Sequence, residues 1–70
     1  MANTDKKASR QIYRLAKIYG LEHVELAREC QYFGIVNGHE IRVSVFDRDP
    51  VADLAAIRSA IDCAIERRVA

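Results

Sequence analysis

The spacing of apolar residues near the start of the chain predicts a helix. Thr4 stands where a helix N-cap is expected, and Gly20 stands where a glycine commonly ends one. Between them, apolar side chains recur at helical spacing: Ala8, Ile12, Leu15, Ala16 and Tyr19. These positions form one stripe, so we predict an amphipathic first helix that ends at Tyr19.

Between Leu21 and Asp47 the apolar period changes to two, which predicts antiparallel strands. Asn37-Gly38 is a strong signal for a two-residue hairpin turn. This turn pairs Val36 with His39 and sets which residues share the core face. That face carries Cys30, Tyr32, Gly34, Val36, Ile41, Val43 and Val45. Val24 and Leu26 also alternate with polar residues, but the pattern leaves open whether residues 22–36 form one bent strand or two short strands.

The last element is predicted to be a second helix. Asp49 is a suitable N-cap, and Pro50 suits the first helical position. A helical stripe follows: Leu54, Ile57, Ile61 and Ile65. The predicted fold is α+β, a two-layer sandwich in which an N-terminal and a C-terminal helix cover one face of an antiparallel two- or three-stranded sheet. We expect residues 1–70 to form a single α-β-(β)-β-α domain.

Composition narrows the class of protein. The 70 residues are 50% hydrophobic and 30% charged, which is typical of a globular domain with a small core. No run approaches the roughly 18 apolar residues of a membrane span, and residues 1–10 lack the apolar centre of a signal peptide. Cys30 and Cys63 form no CxxC motif. We expect a cytoplasmic protein without a membrane partner.

The charge is uneven, and it defines a first candidate interaction surface. Residues 1–20 carry +4, residues 21–50 carry −3, and the last twenty residues are neutral. On the helical wheel, the basic side chains of the first helix lie opposite its apolar stripe. This basic stripe, with an adjacent tyrosine, comprises Lys6, Arg10, Tyr13, Arg14 and Lys17. It suits a phosphate backbone or an acidic protein surface; the alternative is a solvated helix face.

The face of the sheet away from the helices is a second candidate surface. The hairpin register places three apolar side chains and one arginine there: Phe33, Ile35, Arg42 and Phe46. Grouped exposed aromatic residues are typical of contact surfaces. Phe33 is paired with Arg42, so we expect a cation–π contact. The alternative is an ordinary half-buried sheet.

A third candidate surface is a strip of small residues on the last helix. It is expected on the side of the helix away from the apolar stripe, and it comprises Ala52, Ala56, Ser59, Ala60 and Cys63. Small side chains allow close helix approach, so we predict a homodimer through this helix, in which Cys63 lies near its symmetry mate. The alternative is that alanine is there because it favours helix formation.

No catalytic residue, metal site or cofactor is predicted. The histidines, His23 and His39, are interpreted as ordinary surface or strand-end residues. The register places Ser44 on the outer face and Cys30 at the far end of the hairpin from His39, so neither forms a nucleophile–histidine pair. The cysteine and histidine positions match no zinc-ligand spacing.

The predicted element order resembles the double-stranded-RNA-binding fold, in the compact form found in the HicA toxin family of messenger-RNA interferases. The similarity covers residues 9–66 and lies in three segments: Ile18-Tyr19-Gly20, Val36-Asn37-Gly38-His39-Glu40-Ile41, and Arg42-Val43-Ser44-Val45 leading into residues 54–58. It implies an α-β-β-β-α fold. Where that family carries its catalytic histidine, this chain has Glu29-Cys30-Gln31, and the last helix lacks the lysines of double-stranded-RNA-binding domains.

These features favour a non-enzymatic interaction protein that occludes a surface of a larger macromolecular partner. By type it is similar to the small inhibitors of bacterial nucleic-acid machines that phages and mobile elements encode, anti-CRISPR proteins among them. Two alternatives stay open. One is a nucleic-acid-binding module that uses the basic stripe, and the other is a diverged interferase toxin of the HicA type that uses His39 or Cys30.

Overall fold

The computed structural model describes residues 3–46 and 48–66, and it has the predicted α+β architecture. The elements are α1 (Asn3–Tyr19), β1 (Glu22–Glu25), β2 (Cys30–Val36), β3 (His39–Val45) and α2 (Pro50–Glu66). The strands form an antiparallel three-stranded sheet in the order β1-β2-β3. The open question about residues 22–36 is thereby answered in favour of two strands, and the α-β-β-β-α order implied by the resemblance is confirmed.

Local sequence signals determine where the helices end and begin. The Leu21 N–H donates to the Ala16 carbonyl at 2.8 Å, and Gly20 has a φ of 68°, so α1 ends in a Schellman motif. The Asp49 carboxylate accepts a hydrogen bond from the Ala52 N–H at 3.2 Å, which confirms the predicted cap of α2. At the other end, α1 already includes Asn3, so Thr4 lies inside the helix rather than at its cap.

The β2–β3 hairpin has the predicted register. Val36 pairs with His39, Tyr32 with Val43, and Cys30 with Val45. The two turn residues have left-handed φ values, 53° at Asn37 and 78° at Gly38, as a type I′ turn requires. The Asn37 side chain also donates to the Ala64 carbonyl at 3.2 Å, which ties the turn to the end of α2.

The hydrophobic core lies between the two helices and the inner face of β2 and β3. Its buried members are Ala8, Ile12, Leu21, Val36, Ile41, Val43, Val45, Leu54, Ile57, Ile61 and Ala64. The prediction that Ile65 belongs to the core stripe of α2 is wrong, because this side chain is 47% exposed. At about 100° per residue, Ile65 lies about 80° around the helix from Ile57, whereas Ala64 lies only about 20° away. Ala64 therefore takes the buried position.

Strand β1 directs its one apolar residue, Val24, away from the helices. Val24 pairs with Gln31, which belongs to the same face as Phe33, so Val24 lies on the outer face of the sheet. The inward positions of β1 are His23 and Glu25, and both are exposed. The helices do not cover β1. Helix α2 packs mainly on β3, α1 packs mainly on α2, and β1 has no extensive contact with either helix. Val24 would therefore have no helix packed over it even if it lay on the inner face of the sheet.

Candidate interaction surfaces

The outer face of the sheet carries a group of apolar side chains around Arg42. A shallow cavity of about 320 Å³ is lined by Val24, Leu26, Gln31, Phe33 and Arg42. Ile35 follows Phe33 on the same face of β2 and is 65% exposed. The predicted residues Phe33, Ile35 and Arg42 are thus brought together. Val24 of β1 and Leu26, which follows β1, add two apolar side chains that were not predicted for this surface. We call these residues together the outer patch: Val24, Leu26, Phe33, Ile35, Arg42 and Phe46.

Arg42 is held in the middle of the outer patch by two contacts. Its guanidinium lies over the Phe33 ring, 5.2 Å from the centroid, as the predicted cross-strand pair requires. Its Nε also donates to Glu40 Oε1 at 3.3 Å. Both ion-pair partners are more than half exposed, so the pair adds little stability and serves mainly to orient the guanidinium. The outcome is a positive group fixed above an aromatic ring.

Phe46 lies at the end of the outer patch where β3 leads into α2. It is 64% exposed and lines a second depression together with Leu26 and Arg28. Leu26 lines both depressions and so connects Phe46 to Phe33. The Phe46 N–H donates to Asp53 Oδ1 at 3.3 Å, and Asp53 is only 6% exposed. This buried carboxylate, which the sequence analysis missed, anchors the backbone of an exposed aromatic residue.

The basic stripe of α1 lies fully in solvent. Lys6, Arg10, Tyr13, Arg14 and Lys17 are all exposed, on the side of α1 opposite the buried Ala8 and Ile12. Within residues 3–46 and 48–66, none of the four cations has a carboxylate oxygen within 4.0 Å. Their charges are therefore free to attract an anion.

Tyr13 and Lys17 form a local pair on this stripe. The Lys17 Nζ lies 4.8 Å from the centroid of the Tyr13 ring. A hydrogen bond to the Tyr13 side chain, and secondly Coulomb attraction to it, raise the pKa of Lys17 above its ordinary value of 10.5. Lys17 consequently remains a cation throughout the neutral range.

The small-residue strip of α2 lies beside the free edge of β3. Ala52, Ala56, Ser59 and Cys63 are exposed, and Ala60 is half-buried against the core. The strip runs along one flank of α2 and is not opposite its core face. Ala60 and Cys63 line a depression of about 230 Å³ together with His39, Glu40, Ile41 and Arg42 of β3. The opposite flank of α2 faces α1, where Arg58 donates to Gln11 at 2.7 Å.

The histidines and cysteines are dispersed. His23 packs edge-on against Tyr32, with ring centroids 5.0 Å apart. His39 lies at the turn end of the hairpin, while Cys30 lies at the other end, six residue steps or about 20 Å away. The described residues include no group of three or more His, Cys, Asp or Glu side chains placed to hold a metal ion. The hairpin therefore brings neither Cys30 nor Ser44 next to His39.

Comparisons with protein-family models, with curated proteins and with solved structures found no match to this chain. In the part of the chain that the structure describes, neither helix is long and apolar enough to cross a membrane.

Proposed function

We propose that this chain is a non-enzymatic interaction protein whose outer patch binds a larger macromolecular partner and occludes that partner's surface. The observation that carries the proposal is the apolar face left uncovered by both helices. Leu26, Ile35 and Phe46 are each about half exposed or more. A 70-residue protein that keeps such side chains together in water gives up burial that would stabilise it, and exposed apolar patches of this kind mark contact surfaces.

The outer patch has the chemical composition of an interface centre. Aromatic residues and arginine are the side chains most enriched at binding hot spots, and this patch combines two phenylalanines with Arg42. Arg42 already has its guanidinium ordered over Phe33, so binding costs less side-chain entropy than for a free arginine. The rim carries Glu22 and Glu40, which would orient a partner that presents basic groups.

The proposed biological class is a small inhibitor of a bacterial nucleic-acid machine, of the anti-CRISPR type that phages and mobile elements encode. Its support is the group of exposed apolar side chains on the outer face of the sheet. Occlusion would require a contact surface of this kind and no catalytic group.

The test is affinity capture from bacterial lysate followed by binding with the purified partner. Ile35→Glu places a charge in the centre of the outer patch. Ile18→Glu makes the same chemical change on α1, where Ile18 is 71% exposed and does not belong to the outer patch. We expect a discrete partner that wild type and Ile18→Glu retain and Ile35→Glu loses. Equal binding by all three proteins would contradict the proposal.

A second candidate is a nucleic-acid-binding module that uses the basic stripe, favoured by four cations that have no acidic partner among the described residues. The stripe and the outer patch lie on opposite sides of the two-layer fold, so one flat partner cannot cover both. Binding to short duplex DNA and RNA at low and moderate salt tests this candidate. Salt-sensitive binding that is lost when Lys6, Arg10, Arg14 and Lys17 become glutamine, but survives Ile35→Glu, would favour the basic stripe.

A further inference from the structure

The free edge of β3 is the longest unpaired strand edge among the described residues. β3 has seven residues and pairs only with β2, whereas the other edge strand, β1, has four. The residues next to a two-residue turn exchange hydrogen bonds with each other, so His39, Ile41, Val43 and Val45 bond to β2. The N–H and C=O groups of Glu40, Arg42 and Ser44 therefore point outward. An exposed edge of this length is a template for pairing with another strand.

We propose that this edge pairs antiparallel with the same edge of a second copy of the chain, about a two-fold axis at Ile41. In that register Glu40 lies directly opposite Arg42 of the partner subunit, and Arg42 lies opposite Glu40 of the partner subunit. All four side chains belong to the outer face, where directly paired residues approach closely. Two symmetric pairs of opposite charge thus accompany the main-chain hydrogen bonds.

Charge complementarity selects this register over its neighbours. A two-fold axis at Arg42 would place arginine opposite arginine, which is unfavourable. An axis at Val43 would place Arg42 opposite Ser44 of the partner subunit and leave Glu40 without a cation. The axis at Ile41 also brings Ile41 opposite its own copy on the inner face, where both strands carry apolar residues.

The flank of α2 beside β3 leaves room for two β3 edges to pair. Paired strands lie about 4.8 Å apart, while packed helices need about 8–10 Å between their axes. Since α2 packs on β3, two copies of α2 would run side by side over the seam, and large side chains there would hold the edges apart. The small-residue strip of α2 occupies that flank, and Ala60 and Cys63 line the depression beside β3. This places the predicted dimer contact at the strand edge, with the helix strip beside it.

Joining the two edges makes one continuous sheet and sets two outer patches side by side. The pairing shares Arg42 with the outer patch and Glu40 with its rim, but it is measured on the purified protein alone and so does not depend on what the outer patch binds. It does predict that a binding partner meets two copies of the patch related by a two-fold axis.

Charge exchange tests the register. Sedimentation velocity from a few to several hundred micromolar should show a dimer for wild type. Glu40→Arg and Arg42→Glu should each weaken dimerisation by about tenfold or more, because each creates two like-charge contacts. The double exchange should restore it. Glu22→Arg, a matched change on the outer face of β1, should leave dimerisation unchanged, and circular dichroism checks that each variant is folded.

Amide hydrogen exchange tests the edge itself and does not depend on any variant. The Glu40 and Arg42 amides should become protected as protein concentration rises. The outward amides of β1, at His23 and Glu25, should exchange quickly at every concentration. A monomer at several hundred micromolar, a dimer without protection at Glu40 and Arg42, or a double exchange that fails to restore dimerisation would each overturn the proposal.

Discussion

Ile57 and Ile65 belong to the same helix and the same apparent apolar stripe, yet the structure predicts opposite costs for truncating them. Ile57 is 0% exposed and Ile65 is 47% exposed. Ile57→Ala removes fully buried carbon atoms and leaves a cavity between α2 and the sheet, which costs about 2–5 kcal/mol. A 70-residue domain has an unfolding free energy of only about 4–10 kcal/mol, so the loss is a large part of the total.

Ile65→Ala should cost less than about 1 kcal/mol. It opens no enclosed cavity, and alanine's higher helix propensity offsets part of the lost contact. Urea unfolding followed by circular dichroism, at one fixed protein concentration, measures both variants. A thermal melt gives a second readout: at about 4–8 °C per kcal/mol, the melting temperature of Ile57→Ala should fall by at least about 8 °C and that of Ile65→Ala by a few degrees. Equal losses would refute the assignment of the α2 core face.

Three further predictions follow from local contacts. Asp49→Ala removes the cap of α2 and should cost about 1 kcal/mol in a thermal melt, while Asp49→Asn should retain most of the stability. Gly34→Ala would place a Cβ 2.5 Å from the buried Leu21 Cδ2 and 3.3 Å from the Gly20 carbonyl oxygen, so it should destabilise the fold by about 1–3 kcal/mol in the same assay. Tyr13→Phe removes the hydrogen bond that raises the pKa of Lys17, so an NMR titration should show a lower Lys17 pKa in the variant.

The pH dependence of the Tyr13–Lys17 contact has a definite sign. Because folding raises the Lys17 pKa, the contact's contribution is fully present below about pH 10.5 and is lost as pH rises through the folded-state pKa. No change between about pH 6 and 9 is expected from this pair. An unchanged Lys17 pKa in Tyr13→Phe would contradict the Tyr13–Lys17 contact. An unchanged melting temperature in Asp49→Ala would contradict the helix cap, and an unchanged melting temperature in Gly34→Ala would contradict the close packing of Gly34 against Leu21.

The hairpin and the helix ends could be predicted because their signals are local. Asn37-Gly38 specifies a turn through the left-handed φ of two adjacent residues, and the register follows by counting outward from it. Gly20 and Asp49-Pro50 act within a single helical turn. Each of these signals depends on a few neighbouring residues, so the sequence contains all the information required.

The orientation of β1 and the edge of the core could not be predicted, because they depend on contacts from distant elements. Alternation shows that Val24 and Leu26 share a face, but which face is covered depends on how far α1 and α2 extend across the sheet. Ile65 fits a helical stripe, but the sheet contacts Ala64. The position of Cys63 beside β3 could not be predicted for the same reason, because it depends on which flank of α2 packs against α1.

We propose that the outer patch, and not the basic stripe, contacts the partner. The most direct measurement places a photo-cross-linking amino acid at Ile35, at Arg14, or at Ala55 as an exposed control, and irradiates each protein in a bacterial host. We predict a discrete adduct to a larger macromolecule from position 35 and none from position 14 or 55. An adduct from position 14 with none from position 35 would contradict the claim.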